Sequence, residues 1–236
     1  MILIRNLLIT CCLFLTVTPM HANADTTQLL TEVIKAYGGE EAWRNAGGFT
    51  QKGRTYSGRL QVYGKTERNY AHPLKMRIET VYDEDDFELH QLDGDTAWSS
   101  GKQALKTFAD IARLQSYRLA PPLLMIEHGD KAKDLGSRKD GPNTRRGVMF
   151  DLGDGMQVLV DIDEKSKHVA GAWGILERDG RRMEHSTLYE DHRQVDGKLV
   201  AFKETHYVMG GYIGHTELQE VEFSTEFAAD TFSPTP

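Results

Sequence analysis

From about Thr144 to Phe227 the chain reads as one strand after another, each closed by a tight-turn signal. Asp151-Leu152-Gly153-Asp154-Gly155, Asp179-Gly180, Asp196-Gly197 and Gly210-Gly211 punctuate it. Asp-Gly and Gly-Gly supply the positive φ angles that two-residue hairpin turns require. Successive hairpins make an antiparallel meander, and a long meander must curve or close. The curved sheet has an inside, and that inside is either filled or holds a ligand.

The first half adds helices and more strands. Leu29, Leu30, Val33, Ile34 and Tyr37 share one face of a helix within Asp25–Asn45, and Gly38-Gly39 ends it. Glu40–Asn45 makes a second short helix with Trp43 inward. Phe49–Ser57 and Arg59–Tyr70 form a hairpin around Gly58. Leu74–Tyr82 alternates, with Leu74, Met76, Ile78, Thr80 and Tyr82 on one face. Asp83–Asp86 is an acidic turn. Glu88–Leu92 and Thr96–Ser100 pair across Asp93-Gly94-Asp95. Gln103–Leu119 then has helical spacing. Pro121-Pro122 breaks it, and Leu123–His128 restarts a short helix, apolar all round, which suits a plug buried on several sides. Asp134–Asp140 leads into the second run of strands. The expected fold class is α+β, mainly β: a curved antiparallel sheet or half-open barrel, covered by an N-terminal helix and a mid-chain helical plug.

The N-terminus indicates the compartment. Met1–Asn6 is short and carries one positive charge, Arg5, Leu7–Val17 is an apolar run, and Ala22-Asn23-Ala24 fits the small-x-small pattern that precedes cleavage. A secretory signal peptide over residues 1–24 is expected, cut between Ala24 and Asp25, leaving one domain over 25–236. The 2 cysteines, Cys11 and Cys12, fall inside the signal, so the mature chain has no thiol chemistry. Lipidation at Cys11 is not expected. Thr10 stands where a smaller residue belongs, and the apolar run continues past the cysteine.

The formal net charge is −7, and removing a signal that carries Arg5 and no acid makes it one unit more negative. Such a chain is a poor match for nucleic acid or anionic lipid surfaces. No later apolar stretch reaches membrane-spanning length, and a monomer is expected.

Chemical motifs are sparse. His185 and His192 are spaced to fall on opposite faces of one strand, and His206 and His215 lie on different strands. No His-x-His or His-Glu-x-x-His occurs, so neither metal nor cofactor is expected. Asp83–Asp86 and Asp161–Glu164 lack the glycine and terminal glutamate of a calcium loop. Ser57, Ser99, Ser100 and Ser186 have no Gly-x-Ser-x-Gly setting. Glu184, Glu190, Asp191 and Glu204 offer carboxylate pairs that any acidic sheet would offer. No catalytic residue is assigned. The candidate ligand contacts are Leu74, Met76, Ile78, Phe150, Val158, Val160 and Met183 on the sheet. Leu123, Leu124, Met125 and Ile126 on the plug complete the set, lining an apolar cavity beneath 121–128 that accepts an acyl chain.

The order of elements also carries a resemblance. Tyr37-Gly38-Gly39-Glu40-Glu41-Ala42-Trp43 follows the first helix, then come Leu74-x-Met76-Arg77, Asp93-Gly94-Asp95-Thr96-Ala97-Trp98, a helical insertion, and Tyr189-x-Asp191-x-Arg193-x-Val195-Asp196-Gly197. Together they resemble the LolA/LolB-like family of outer-membrane lipoprotein-sorting proteins and their broader periplasmic relatives. The resemblance implies a half-open barrel with helices over its mouth, a bacterial periplasm, and a soluble carrier or sensor for a lipid or lipoprotein acyl chain. Two alternatives remain. One is a module that binds a periplasmic protein partner through a sheet edge. The other is a hydrolase that uses histidine and carboxylate groups in the concave face.

Overall fold

The computed structural model describes residues 20–83, 86–223, 226–228, 230–232 and 234. The expected signal up to Pro19 lies outside the described residues, as do Glu84 and Asp85 of the acidic turn and Ser224 and Thr225 of the last expected strand. Helix α1 (Met20–Ala36) begins ahead of the expected cleavage position. Gly38-Gly39 then turns the chain into α2 (Glu40–Ala46). Gly38 sits at φ 109°, and a Cβ there would lie 2.4 Å from the Gly197 carbonyl oxygen. Only glycine allows the first helix to seat against the turn at Asp196-Gly197.

Six strands follow: β1 (Gly48–Ser57), β2 (Val62–Ala71), β3 (Lys75–Val81), β4 (Phe87–Asp93), β5 (Thr96–Ser99) and β6 (Lys102–Gln103). Two helices, α3 (Lys106–Leu119) and α4 (Pro121–His128), interrupt the strands. Seven more strands complete the chain: β7 (Lys133–Asp140), β8 (Asn143–Gly153), β9 (Met156–Asp163), β10 (Val169–Arg178), β11 (Arg181–Val195), β12 (Lys198–Val208) and β13 (Gly211–Phe223). All belong to one 13-stranded antiparallel sheet.

Strands consecutive in sequence pair with each other, except β6 and β7, which the helices separate, and β13 pairs with β1. The first and last strands therefore meet at a central seam. One wing runs outward from the seam to β6 and the other to β7. The sheet stays open, because those two edge strands do not pair with each other.

Turn chemistry follows the sequence closely. Asp154-Gly155, Asp179-Gly180 and Asp196-Gly197 all take positive φ at both residues, as a two-residue hairpin turn demands. The fourth turn is Met209-Gly210, not Gly210-Gly211; Met209 accepts φ 49°. Further boundaries differ from expectation: β2 starts at Val62 rather than Arg59, and α4 at Pro121 rather than Leu123. Asp134–Asp140, read as a lead-in, is the edge strand β7. It is charged and exposed along nearly its whole length, so no apolar alternation marks it, and its charges protect a free edge. Gln103 belongs to β6, so the long helix starts at Lys106.

The main core lies under α1, α2 and α4. Leu30, Val33, Trp43, Leu124, Met125, Phe150, Val158 and Val160 pack there. A smaller core joins α3 to β3–β5 through Met76, Leu92, Ala97, Ala109 and Ala112. Helix α3 touches β4 and β5 on one wing and β9 and β10 on the other, so it spans the concave face like a strut.

Candidate functional site

The strut is held at several points. Asp110, buried in α3, forms ion pairs with Lys106 and with Arg178 of β10. Arg113 reaches Asp95 in the β4–β5 turn at 3.2 Å. Leu114 lies over Gly174 of β10, where a Cβ would be only 3.0 Å from the Leu114 Cβ. The hydroxyl of Tyr189 donates to the carbonyl of Arg118 at 2.5 Å, satisfying one of the last carbonyls of the helix.

With α3 fixed in this way, a space remains between it and the central strands. The cavity measures about 480 Å³. Its helical wall is a stripe at the 3.6 period: Phe108, Ile111, Ala112, Gln115, Arg118 and Leu119. Facing it are Thr66 and Arg68 of β2, Ile78 and Thr80 of β3, His90 of β4, His185 and Thr187 of β11, Glu204 and His206 of β12, and Thr216 of β13. Toward solvent it opens among Tyr56, Arg59, Tyr82, Tyr207, Val208 and Ile213. Ile213 is 48 % exposed.

The buried end of the cavity is polar. Arg68 donates to the Glu204 carboxylate at 2.7 Å and to the Thr216 hydroxyl at 2.6 Å, with both charged side chains almost wholly buried. To do so it crosses β1, since β2 and β13 flank that strand. Arg118 donates to the Thr187 hydroxyl at 2.9 Å. His206 joins the two halves: Nδ1 lies 3.4 Å from the Thr187 hydroxyl, Nε2 lies 3.0 Å from the Thr216 hydroxyl, and Nε2 is 3.8 Å from Glu204.

These groups set one another's charge. Burial alone would raise the Glu204 carboxyl, but Arg68, His206 and Arg118 bring it below its ordinary value, so it is ionised. Burial pushes His206 down to about 4, against the pull of Glu204 and with help from both arginines. His185 is likewise pushed to about 4 by burial and by Arg118. Both imidazoles are therefore neutral near pH 7. Burial also lowers the Arg118 guanidinium, which nonetheless keeps its proton as arginine does in proteins. Two cations thus face a single carboxylate, leaving one buried positive charge unbalanced.

The expected ligand contacts distribute differently. Of the eleven, Ile78 lines this cavity. Met76 is fully buried against α3, with Leu74 partly buried beside it. Leu123, Leu124, Met125, Phe150, Val158 and Val160 are solid core, with Ile126 and Met183 packed against them. The space beneath Pro121-Pro122 is a void of about 30 Å³, room for little more than a water or two. The open room lies under α3 instead. Helix α4 is so apolar that it fills its own seat. Helix α3 carries Gln115 and Arg118 in its inner stripe and cannot collapse onto the sheet.

The carboxylates also resolve. Glu204 pairs with Arg68, Glu190 with Lys203, Asp191 with Arg193 and Glu184 with Arg182. His185 opens onto the cavity, while His192 contacts the Tyr37 hydroxyl and the His168 ring. His206 is near a hydroxyl and a carboxylate, but an imidazole held near 4 is a weak proton acceptor, and Glu204 is committed to Arg68. Among the described residues no cluster of ligating side chains could hold a metal ion, and no helix is long and apolar enough to cross a membrane. Sequence reasoning missed Arg68 and Arg118. Each occupies a core position of its element: Arg68 alternates with Thr66 and Tyr70, and Arg118 lies one turn after Leu114.

No protein-family model matches the sequence, and no curated protein matches it significantly. Solved structures do match. A LolA superfamily protein from Nitrosomonas europaea aligns with TM-score 0.55 at 10% identity, covering 88% of this chain and 97% of the other. An outer membrane lipoprotein-sorting protein domain from Vibrio parahaemolyticus aligns with TM-score 0.52 at 12% identity, over 89% and 97% of the two chains. A DUF1329 family protein from Desulfovibrio piger aligns with TM-score 0.52 at 8% identity, over 90% and 97%. The open antiparallel sheet with helices across its concave face is the LolA-like fold.

Proposed function

We propose, from the LolA-like fold and its half-open interior, that this protein is a carrier or sensor for a lipid or lipoprotein acyl chain. It works as a monomer in a bacterial periplasm, after loss of the signal peptide over 1–24. The single observation that carries the reading is the cavity under α3. Its volume of about 480 Å³ falls within the range of small-molecule sites. Its helical wall presents Phe108, Ile111 and Leu119, and each methylene it buries stabilises a bound chain by about 0.8 kcal/mol. The name of the Vibrio neighbour, a lipoprotein-sorting domain, agrees with this reading.

In this proposal Ile78, Phe108, Ile111 and Leu119 contact the chain. The expected plug residues act at one remove, by holding α3 and the sheet apart. A protein partner added at a sheet edge gains no specific support, since β6 has two residues and β7 is charged along its length. A hydrolase gains none either, because His206 is too weak a base.

Native mass spectrometry of the purified protein, together with titration of a fluorescent fatty acid, tests the carrier reading. Co-purified lipid or saturable binding that Ile111→Asp weakens is expected. Repeated absence of both would end it.

A further inference from the structure

We propose that the buried end of the cavity is a receptor for the anionic head group of a single-chain amphiphile, with Arg118 as the residue that meets the anion. The inference rests on the carrier reading and narrows it. An acyl chain joined to a protein through an amide or ester carries no charge at its carbonyl end. A free fatty acid ends in a carboxylate, and an alkyl phosphate in a phosphate.

Arg118 is only 8 % exposed, yet among the described residues it has no carboxylate within ion-pair distance. Its one side-chain hydrogen bond is the donation to Thr187, a neutral hydroxyl. Its Nε–H is buried and without a partner, and the Nε–H of Arg68 is in the same position. A buried cation of this kind destabilises the fold unless something answers it. Glu204 is already spent on Arg68, and the nearby imidazoles are neutral and bring no negative charge.

The placement of Arg118 is built in. Gly174 leaves room for its side chain to lie between α3 and β10, with the Arg118 Nε only 3.3 Å from where a Cβ would stand. The Tyr189 hydroxyl holds its backbone carbonyl. The guanidinium therefore lines the buried end of the cavity, whose helical wall carries Phe108 and Ile111 and whose outer rim includes the Arg59–Glu88 ion pair. A carboxylate in the cavity would accept charge-assisted hydrogen bonds from the terminal guanidinium nitrogens, while Nε stays packed against Gly174, and Arg is suited to recognition of such groups. Its tail would lie outward along Ile111 and Phe108 toward the mouth.

Calorimetric titration of the full protein with dodecanoic acid, methyl dodecanoate, dodecyl phosphate and sodium acetate tests this at about pH 8, where the acid is ionised. Dodecanoate or dodecyl phosphate should bind at least about tenfold more tightly than the ester. Arg118→Met should bring the anionic amphiphile to the level of the ester while the ester itself still binds, and Arg118→Lys should restore part of the difference. If Arg118→Met does not fold, the acid-to-ester ratio of the wild-type protein and the Arg118→Lys variant decide the matter. Equal binding of acid and ester would overturn the head-group receptor and leave the carrier reading standing. Acetate binding as tightly as dodecanoate would also overturn it, by making this a site for free anions. Failure of every chain-bearing compound to bind would remove the carrier reading itself.

Discussion

Arg68 and Glu204 come from strands on opposite sides of the β1–β13 seam, and they meet in a place water barely reaches. Removing one member of such a pair strands the other. Glu204→Gln should cost about 3–5 kcal/mol of stability, read from chemical denaturation. His206 contributes a pH dependence of known sign. Its folded value of about 4 lies below the ordinary 6.5, so folding favours the neutral ring. Its contribution is complete above the ordinary value and declines as pH falls toward about 4. The lowered carboxyl of Glu204 acts in the same direction at still lower pH. The melting temperature should drop across that window, and His206→Gln should flatten the drop. His185 and His192, also pushed to about 4, supply the slope that remains. A melting temperature indifferent to pH there would refute this. Little of this cluster was legible in the sequence. An arginine in an alternating strand reads as solvent-facing until its partners, more than a hundred residues away, are known.

At the level of elements, legibility was much better, because helix caps and hairpin turns are local chemistry. The Gly38-Gly39 stop, the short helix around Trp43, the alternation at Met76 and Ile78 and the Asp-Gly turns all appear where the pattern places them. What escaped was the division of labour between the two mid-chain helices. Both look apolar, yet α4 fills its seat and α3 leaves a gap, and the difference turns on two polar residues in one stripe. Two substitutions separate them. Gly174→Ala puts a methyl against Leu114 and the Arg118 side chain, both on α3. It should lift that helix, cost about 1–3 kcal/mol and weaken binding of a fluorescent fatty acid. Met125→Asp, in the filled seat of α4, should lower the urea midpoint steeply by burying a charge, with any effect on binding following stability alone. Loss of binding at full stability in Met125→Asp would place the ligand under α4 after all.

The whole molecule is one open sheet whose free ends are its shortest and its most charged strands. The fold class was readable because period-two alternation and turn residues recur through both halves. The seam was not readable, because nothing local distinguishes the partner of β1 from any other strand. Pairing the first strand with the last makes assembly depend on contacts that span nearly the full length of the chain. Removing β13 should therefore abolish the cooperative melt of the entire protein rather than trim it, as circular dichroism would report. A truncated chain that still melts in one sharp step would contradict that.

A further consequence concerns timing. During synthesis the amino-terminal wing emerges with its innermost strand bare, and its pairing partner is missing until β13 has been translated. For the export proposed above, such late closure is an asset, since an unfinished sheet slides through a pore where a finished one would jam.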